Sequence, residues 1–270
     1  MAPAVSGGDN PYADRLFVVS SAEELARAAA GRLWGIVRER AAAQCRPGGS
    51  APGIHVALSG GETPRRTYEL LSSEPYRGRF PWDRVHFYQV DERWVRPDDP
   101  LSNRRMLSEA LLSRAPVPEG NFHAVDTALS GPEEAARRYE ELLRRAFPDP
   151  PGGFPRFDAI LLGIGKDGHT ASLFPGAKET SEERAWAIHA AGGDPPVPRV
   201  TLSLPVLSAA AQVIFLVSGK EKAEVLKRIL SGKGEELPAA RVLPNRGKVT
   251  FLADALAASG IVRSRLEGGR

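Results

Sequence analysis

Phe157-Asp-Ala-Ile-Leu-Leu-Gly-Ile-Gly-Lys-Asp-Gly-His169 is a short apolar run that breaks into a loop of glycines and polar residues. An apolar stretch of this length, bounded by glycine, reads as a strand buried on both faces, Phe157 to Leu162. The same unit recurs on either side. Ile54 to Leu58 runs into Ser59-Gly60-Gly61-Glu62-Thr63-Pro64, Val85 to Val90 into Asp91-Glu92-Arg93, and Gln212 to Val217 into Ser218-Gly219-Lys220-Glu221-Lys222. Further strands are predicted at Arg15 to Ser20, Ala185 to His189, Val200 to Leu204 and Val249 to Leu252. Helical patterns fill the gaps: an Ala-rich helix capped by Ser21 and reaching about Gln44, then Pro64 to Leu71, Ser102 to Ser113, Pro132 to Phe147 and Glu221 to Leu230. Ala135, Tyr139, Leu142, Leu143 and Ala146 give the fourth of these one apolar face. Alternation of this kind predicts the α/β class, a mostly parallel sheet with helices on both faces. Residues 15–258 read as one domain, between loose ends at 1–14 and 259–270; Arg46 to Gly53 and Pro148 to Arg156 are loops by composition.

Composition narrows the function classes. The 270 residues are 42% hydrophobic and 26% charged, ordinary for a globular protein with a core, and the net charge is only +3. The pI of about 9.1 comes without a dense Lys/Arg run, so no nucleic-acid partner is expected. Cys45 is the single cysteine, which rules out an intrachain disulfide. The first residues lack the apolar core of a signal peptide, and no stretch approaches the ~18 apolar residues of a membrane span. A cytoplasmic protein without membrane association is the expectation.

Parallel strands place the loops at their carboxyl ends along one edge, where open α/β sheets bind ligands. Four polar strand-end loops therefore predict a shared site. The loop SGGETP has the parts of an anion cradle, with paired glycines, Thr63 as a helix cap and Pro64 in the first turn, although a tight strand-to-helix turn needs the same residues. It is not a Walker loop, since no Gly-Lys-Ser/Thr follows. Around Ser59 it misses the nucleophile elbow, with Ala57 where the first glycine would stand. In GIGKDGH, Gly163, Gly165 and Gly168 match the dinucleotide fingerprint. Pro175 and Gly176 stop the following segment before a long helix can form, so the glycines imply a sharp bend or a close approach instead. His169 is the candidate general base, because a neutral imidazole near its ordinary pKa of about 6.5 can take a proton from water. Asp167 is placed to orient it. His55, His86, His123 and His189 lie in or beside strands and read as packing or surface residues. No HExxH or CxxC pattern exists, so no metal is expected. Asp91 and Arg93 end a strand, where the arginine could grip an anion, and Arg199 or Lys222 could hold a phosphate.

In this order, VALSGGETPRRTYELL (from Val56), VHFYQVDERWVRPDDPLSNRRML (from Val85), FDAILLGIGKDGHTASLFPG (from Phe157), PRVTLSLPVLSAAAQVIFLVSGKEKAEVLKRIL (from Pro198) and GKVTFLADALAA (from Gly247) resemble the 6-phosphogluconolactonase family over residues 15 to 258. The resemblance implies a modified Rossmann-like sheet without a nucleotide, of the kind shared by glucosamine-6-phosphate deaminases, ribose-5-phosphate isomerases and coenzyme A transferases. It implies hydrolysis of 6-phospho-D-glucono-1,5-lactone in the oxidative pentose phosphate pathway, with no cofactor, by a monomer or small homo-oligomer. By motif, His169 is the base with Asp167 beside it. Gly60, Gly61, Thr63, Arg93 and Asn103 line the substrate, Arg199 and Lys222 hold its phosphate, and Ser59, Asp91, Gly165 and Lys166 complete the expected contact set. The chain departs from the family pattern at Arg104, after the Ser-Asn pair, and at Val206-Leu207-Ser208-Ala209. Thr170-Ala171-Ser172-Leu173-Phe174-Pro175 after the histidine, and Arg93 after Asp91-Glu92, separate it from the deaminase pattern. A sugar-phosphate sensor domain would need a DNA-binding segment, for which the N-terminal region is short. A serine hydrolase built on Ser59 is the remaining alternative.

Overall fold

In the computed structural model the described residues are 15–44, 53–244 and 247–261. The expected loose end at 1–14, residues 262–270 of the expected loose tail 259–270, and nearly all of the loop Arg46 to Gly53 lie outside them; 259–261 are described and form a helical turn. Strand β1 (Leu16–Val19) leads into helix α1 (Ala22–Ala43). Ser21 caps this helix as expected: its hydroxyl accepts from the Glu24 N–H at 3.3 Å, and the Glu24 carboxylate accepts from the Ser20 N–H at 3.0 Å.

Then follow β2 (Ile54–Leu58), α2 (Glu62–Leu71), β3 (Val85–Gln89), a three-residue β4 (Asp91–Arg93) and α3 (Asn103–Leu107), which continues as a π-helical turn over Ser108–Leu112. Next come β5 (Phe122–His123), α4 (Pro132–Ala146), β6 (Ala159–Gly163), β7 (Ala187–Ala190) and β8 (Arg199–Leu202). The chain closes with α5 (Leu204–Ala209), β9 (Gln212–Val217), α6 (Ala223–Leu230), α7 (Pro238–Arg241) and β10 (Lys248–Asp254).

Seven strands form a sheet in the order β1-β10-β9-β6-β2-β3-β5, parallel throughout. The mostly parallel α/β architecture is as the alternation predicts. Side chains alternate across it with period two. Val56, Phe87, Leu161 and Ile214 pack with Leu25 and Leu33 of α1 and Tyr68 of α2. Ala57, Tyr88, Ile160 and Phe215 pack with Tyr139 of α4 and Leu226 of α6 on the other face.

Two features differ from expectation. The segments near residues 185 and 200 do not join the large sheet; β7 and β8 pair antiparallel with each other, and β8 with β4, in a separate three-stranded sheet. Asp91-Glu92-Arg93, expected as a loop, is the short edge strand β4. Three polar residues carry no apolar signal, and their pairing partner lies far along the chain, so local pattern could not show it. Residues 164–176 contain no helix and a single bridge, Thr170 with Leu173, in line with the rejection of the dinucleotide reading.

The histidines of β2, β3 and β5 form a row on the α4 face. His55 stacks on His86 and His86 on His123, with ring centroids 5.5 and 5.3 Å apart. His55 Nδ1 lies 2.9 Å from the Tyr88 hydroxyl, and His86 Nδ1 lies 3.0 Å from His123 Nε2. Burial, reinforced by neighbouring imidazole charge, pushes His55 and His123 down to about 4. The unfolded chain then binds more protons than the folded one below pH 6.5, so this stability is complete above 6.5 and is lost as pH falls towards 4. For His55 the loss is on the order of 3 kcal/mol. We expect the imidazole NMR signals of His55 and His123 to titrate below pH 5; midpoints near 6.5 would contradict this. His189, by contrast, is only half-buried, 3.7 Å from Glu133.

Candidate active site

From β2, beside the central strand β6, the chain proceeds to β3 and β5 on one side and, from β6, to β9 and β10 on the other. This is a topological switch point, and the loops after β2 and β6 face each other across it. A cleft of about 220 Å³ opens there. It is lined by the expected Ser59, Gly60, Gly61 and Thr63, by Asp91, Arg93 and Asn103, and by Gly165, His169, Arg199 and Lys222. Lys166 and Asp167 stand outside the lining; Asp167 reaches the site through His169. Another hollow, of about 540 Å³, lies between α4 and β7, but its buried-side carboxylate, Glu140, is already committed to Arg144 and to the Trp186 and Ala187 N–H groups.

The loop after β2 turns at Gly61, whose φ of 104° is open to glycine but rare for other residues. This lets α2 begin at Glu62. Thr63 therefore sits inside the first turn and caps nothing, which corrects the expected cap; Gly61 is the N-cap and no side chain bonds to it. Gly60 has a different reason to be glycine: a Cβ there would lie 1.8 Å from Asn103 Oδ1.

Arg93 and Arg199 are register partners of the β4–β8 pair. Directly opposed residues project to the same face, so the small sheet sets two guanidinium side chains beside one cleft. Arg199 is 5% exposed; burial lowers its pKa, against the pull of the Asp91 charge. It donates from Nε to the Gly192 carbonyl at 3.1 Å. Arg93 donates through Nη1 to Asn103 Oδ1 at 2.6 Å, and Asn103 Nδ2 donates to the Asp91 carbonyl at 2.9 Å. The Asp91 carboxylate accepts from the Ser172 hydroxyl at 2.6 Å, tying the histidine loop to β4. Ser59 Oγ and Arg93 Nε are buried and lack partners among the described residues.

Sequence reading missed Glu92. Its carboxylate, 1% exposed, accepts from the N–H groups of Arg93, Asn103 and Arg104 at 2.8, 2.7 and 2.7 Å, from Gln89 Nε2 at 2.8 Å and from Ser102 Oγ at 3.2 Å. Burial pushes its pKa up, and those hydrogen bonds pull it back. The carboxylate thus fixes both Arg93 and the start of α3. Strand alternation would have turned Glu92 inward, opposite to Asp91 and Arg93, had the strand been recognised. In Glu92→Gln, an amide nitrogen faces donors it cannot accept from. We expect a loss of about 1–3 kcal/mol in urea unfolding; an unchanged midpoint would refute this account.

The loop after β6 closes on itself. The Gly165 N–H donates to the His169 carbonyl at 2.8 Å, and Thr170 Oγ1 to the Gly163 carbonyl at 2.9 Å. His169 Nδ1 is 2.6 Å from Asp167 Oδ1, which also accepts from the His169 N–H at 3.1 Å. Burial alone would raise the Asp167 carboxyl, but these contacts and the imidazole charge hold it below the usual range. An ionised carboxylate on Nδ1 selects the tautomer with its lone pair on Nε2, the form a base needs. Gly165 must be glycine because a Cβ would lie 2.0 Å from His169 Nδ1. Ala171, beside the histidine, holds a left-handed φ of 51°, a strained conformation for a residue with a Cβ. Burial lowers the pKa of Lys222, with the charge of Lys166 acting in the same sense. Among the described residues, no group of three His, Cys, Asp or Glu side chains is placed to hold a metal ion, and no helix is long and apolar enough to cross a membrane.

The family described as glucosamine-6-phosphate isomerases/6-phosphogluconolactonase matches residues 20–251. The chain is 42% identical to a 6-phosphogluconolactonase of Thermotoga maritima, over 74% of this chain and 84% of that protein. It is 38% identical to one of Nostoc, over 75% and 82%. The solved 6-phosphogluconolactonase of Trypanosoma brucei superimposes with a TM-score of 0.78 at 30% identity, covering 91% of this chain and 98% of the other. On the match over residues 20–251, together with these identities and the shared fold, the chain belongs to the glucosamine-6-phosphate isomerase/6-phosphogluconolactonase family.

Proposed function

We propose that the cleft hydrolyses 6-phospho-D-glucono-1,5-lactone to 6-phosphogluconate, the second step of the oxidative pentose phosphate pathway, in the cytoplasm. The observation that carries this reading is the Asp167–His169 pair at 2.6 Å, set beside a cleft that also holds Arg199 and Lys222. A lactone carbonyl is already electrophilic, so a positioned base and a phosphate clamp are sufficient machinery.

Arg199 and Lys222 hold the phosphate. Gly60, Gly61, Thr63, Arg93 and Asn103 contact the sugar, and the buried Ser59 Oγ supplies a further polar contact. His169 Nε2 takes a proton from water as the water oxygen bonds to C1. Asp167 stabilises the imidazolium. Backbone N–H groups or a nearby cation stabilise the tetrahedral oxyanion. The C1–ring oxygen bond then breaks, and Nε2 returns its proton to that oxygen. Asp91 acts by ordering Asn103 and Ser172, and Lys166 by adding positive field near Lys222. Holding the phosphate at one end fixes C1 against the water.

The test is hydrolysis of freshly generated 6-phosphogluconolactone at mildly acidic pH, where the spontaneous reaction is slow enough to subtract. We expect turnover far above background. A folded protein without acceleration would overturn the proposal, and ammonia release from glucosamine 6-phosphate would assign the other activity of the family. A fluorophosphonate adduct lost in Ser59→Ala would instead make Ser59 a nucleophile.

A further inference from the structure

Phe174 belongs to neither the base nor the phosphate clamp, yet it touches both. Its ring, 9% exposed, lies 4.9 Å from the His169 ring, centroid to centroid and inclined at 50°. The Arg199 guanidinium carbon lies 5.6 Å from the same ring's centroid. Behind it runs a pair of glycines with left-handed backbone, Gly192 at φ 128° and Gly193 at φ 84°. A Cβ on Gly192 would come within 3.1 Å of the phenyl ring. One on Gly193 would come within 2.9 Å of Phe174 Cζ and 2.6 Å of Arg199 Nη2. The same loop accepts from Arg199, at the Gly192 and Pro195 carbonyls. The backbone that carries the ring is tied down as well: the Phe174 carbonyl accepts from Thr180 Oγ1 at 2.8 Å and from the Ala177 N–H at 3.2 Å. His169 is on one loop and Arg199 on a strand of the other sheet. The phenyl ring is a rigid spacer between them, with no polar group of its own and little rotamer freedom in a packed setting.

We propose that Phe174 is a positioning residue that sets the distance between the base, His169, and the phosphate-holding arginine, Arg199, and so selects phosphorylated over unphosphorylated lactones. This rests on the functional reading above. A flat ring against both side chains transmits the position of one to the other. Cation–π attraction favours the guanidinium where it lies. The phosphate of the substrate then places C1 at a fixed reach from His169 Nε2. Gly192 and Gly193 are required because any Cβ would press on the spacer or on the guanidinium.

The experiment compares wild type, Phe174→Leu and Gly193→Ala on 6-phosphogluconolactone and on unphosphorylated glucono-1,5-lactone. For Phe174→Leu we expect kcat to fall about tenfold and KM to rise about tenfold on the phosphorylated lactone. On the unphosphorylated lactone, kcat should fall by a similar factor with KM unchanged. Gly193→Ala, whose Cβ would press on both the Arg199 guanidinium and the Phe174 ring, should raise KM on the phosphorylated lactone and, through the ring, lower kcat on both lactones by more than about twofold. A folded Phe174→Leu within about twofold of wild type in both constants would overturn the proposal. So would equal losses on the two substrates with KM unmoved, since that leaves a contact to the base and no coupling. If Phe174→Leu does not fold, as judged by circular dichroism, Phe174→Met and Gly193→Ala carry the same comparison. Titration calorimetry with 6-phosphogluconate separates this proposal from the functional one. A wild type that binds but does not turn over defeats the lactonase reading, and the coupling is then decided by whether Phe174→Leu weakens binding about tenfold. A wild type that neither binds nor turns over defeats both.

Discussion

His169→Ala is expected to lower kcat by roughly 10²–10⁴-fold with the melting temperature little changed, the usual worth of a positioned acid–base group. The fold should survive for a specific reason: the hydrogen bonds that close the 163–170 loop run through backbone atoms of Gly165 and His169 and the hydroxyl of Thr170, not through the imidazole. The His169 side chain is 34% exposed, so removing it leaves little cavity. KM should move little, because Arg199 and Lys222 remain. The measurement is steady-state hydrolysis of 6-phosphogluconolactone with circular dichroism on the same preparation. A variant with near-normal kcat would remove His169 from the mechanism.

Gly165→Ala should reproduce most of that loss without removing a single functional atom. The added Cβ would stand 2.0 Å from His169 Nδ1, 2.3 Å from Cε1 and 2.5 Å from Asp167 Oδ1. None of these distances is tolerable, so the imidazole or the carboxylate must swing away. The 2.6 Å contact that sets the tautomer is then broken. Misplacing a catalytic group by about 1 Å can cost on the order of 10²-fold in rate, and we expect a fall in kcat of that size. Crowding of this kind costs roughly 1–3 kcal/mol in a tight core; with a partly exposed ring free to move, we expect the lower end. The double variant Gly165→Ala/His169→Ala should be no slower than His169→Ala alone, because both changes act on one group. Additive losses would show that Gly165 serves catalysis by another route.

Much of this molecule was legible locally. Apolar runs of strand length identified β2, β3, β6 and β9, and the amphipathic face of α4 was read residue by residue; Ala135, Tyr139 and Leu143 are buried. These signals survive because burial on a sheet or helix face is a property of neighbouring residues with a fixed period. The polar loops at the strand ends could be read as one site, since parallel strands must share an edge. The glycines of GIGKDGH predict a bend or a close approach, and both occur: Gly168 has φ 87°, and Gly165 makes room for the histidine.

Other features were decided by contacts between distant parts of the chain. The small antiparallel sheet pairs Arg93 with Arg199, and nothing in Asp91-Glu92-Arg93 themselves marks a strand. Glu92 looks like a surface acid within its own segment; it becomes a buried five-donor acceptor only when α3 folds over β4. Thr63 has the chemistry of a cap, but the helix starts earlier because Gly61 can turn where other residues cannot. Gly60 is fixed by the side chain of Asn103, and Phe174 comes to lie between His169 and Arg199 only in the folded chain. Secondary structure follows local periodicity. The arrangement of charges about the cleft follows from strand pairing and close packing, whose partners local sequence does not name.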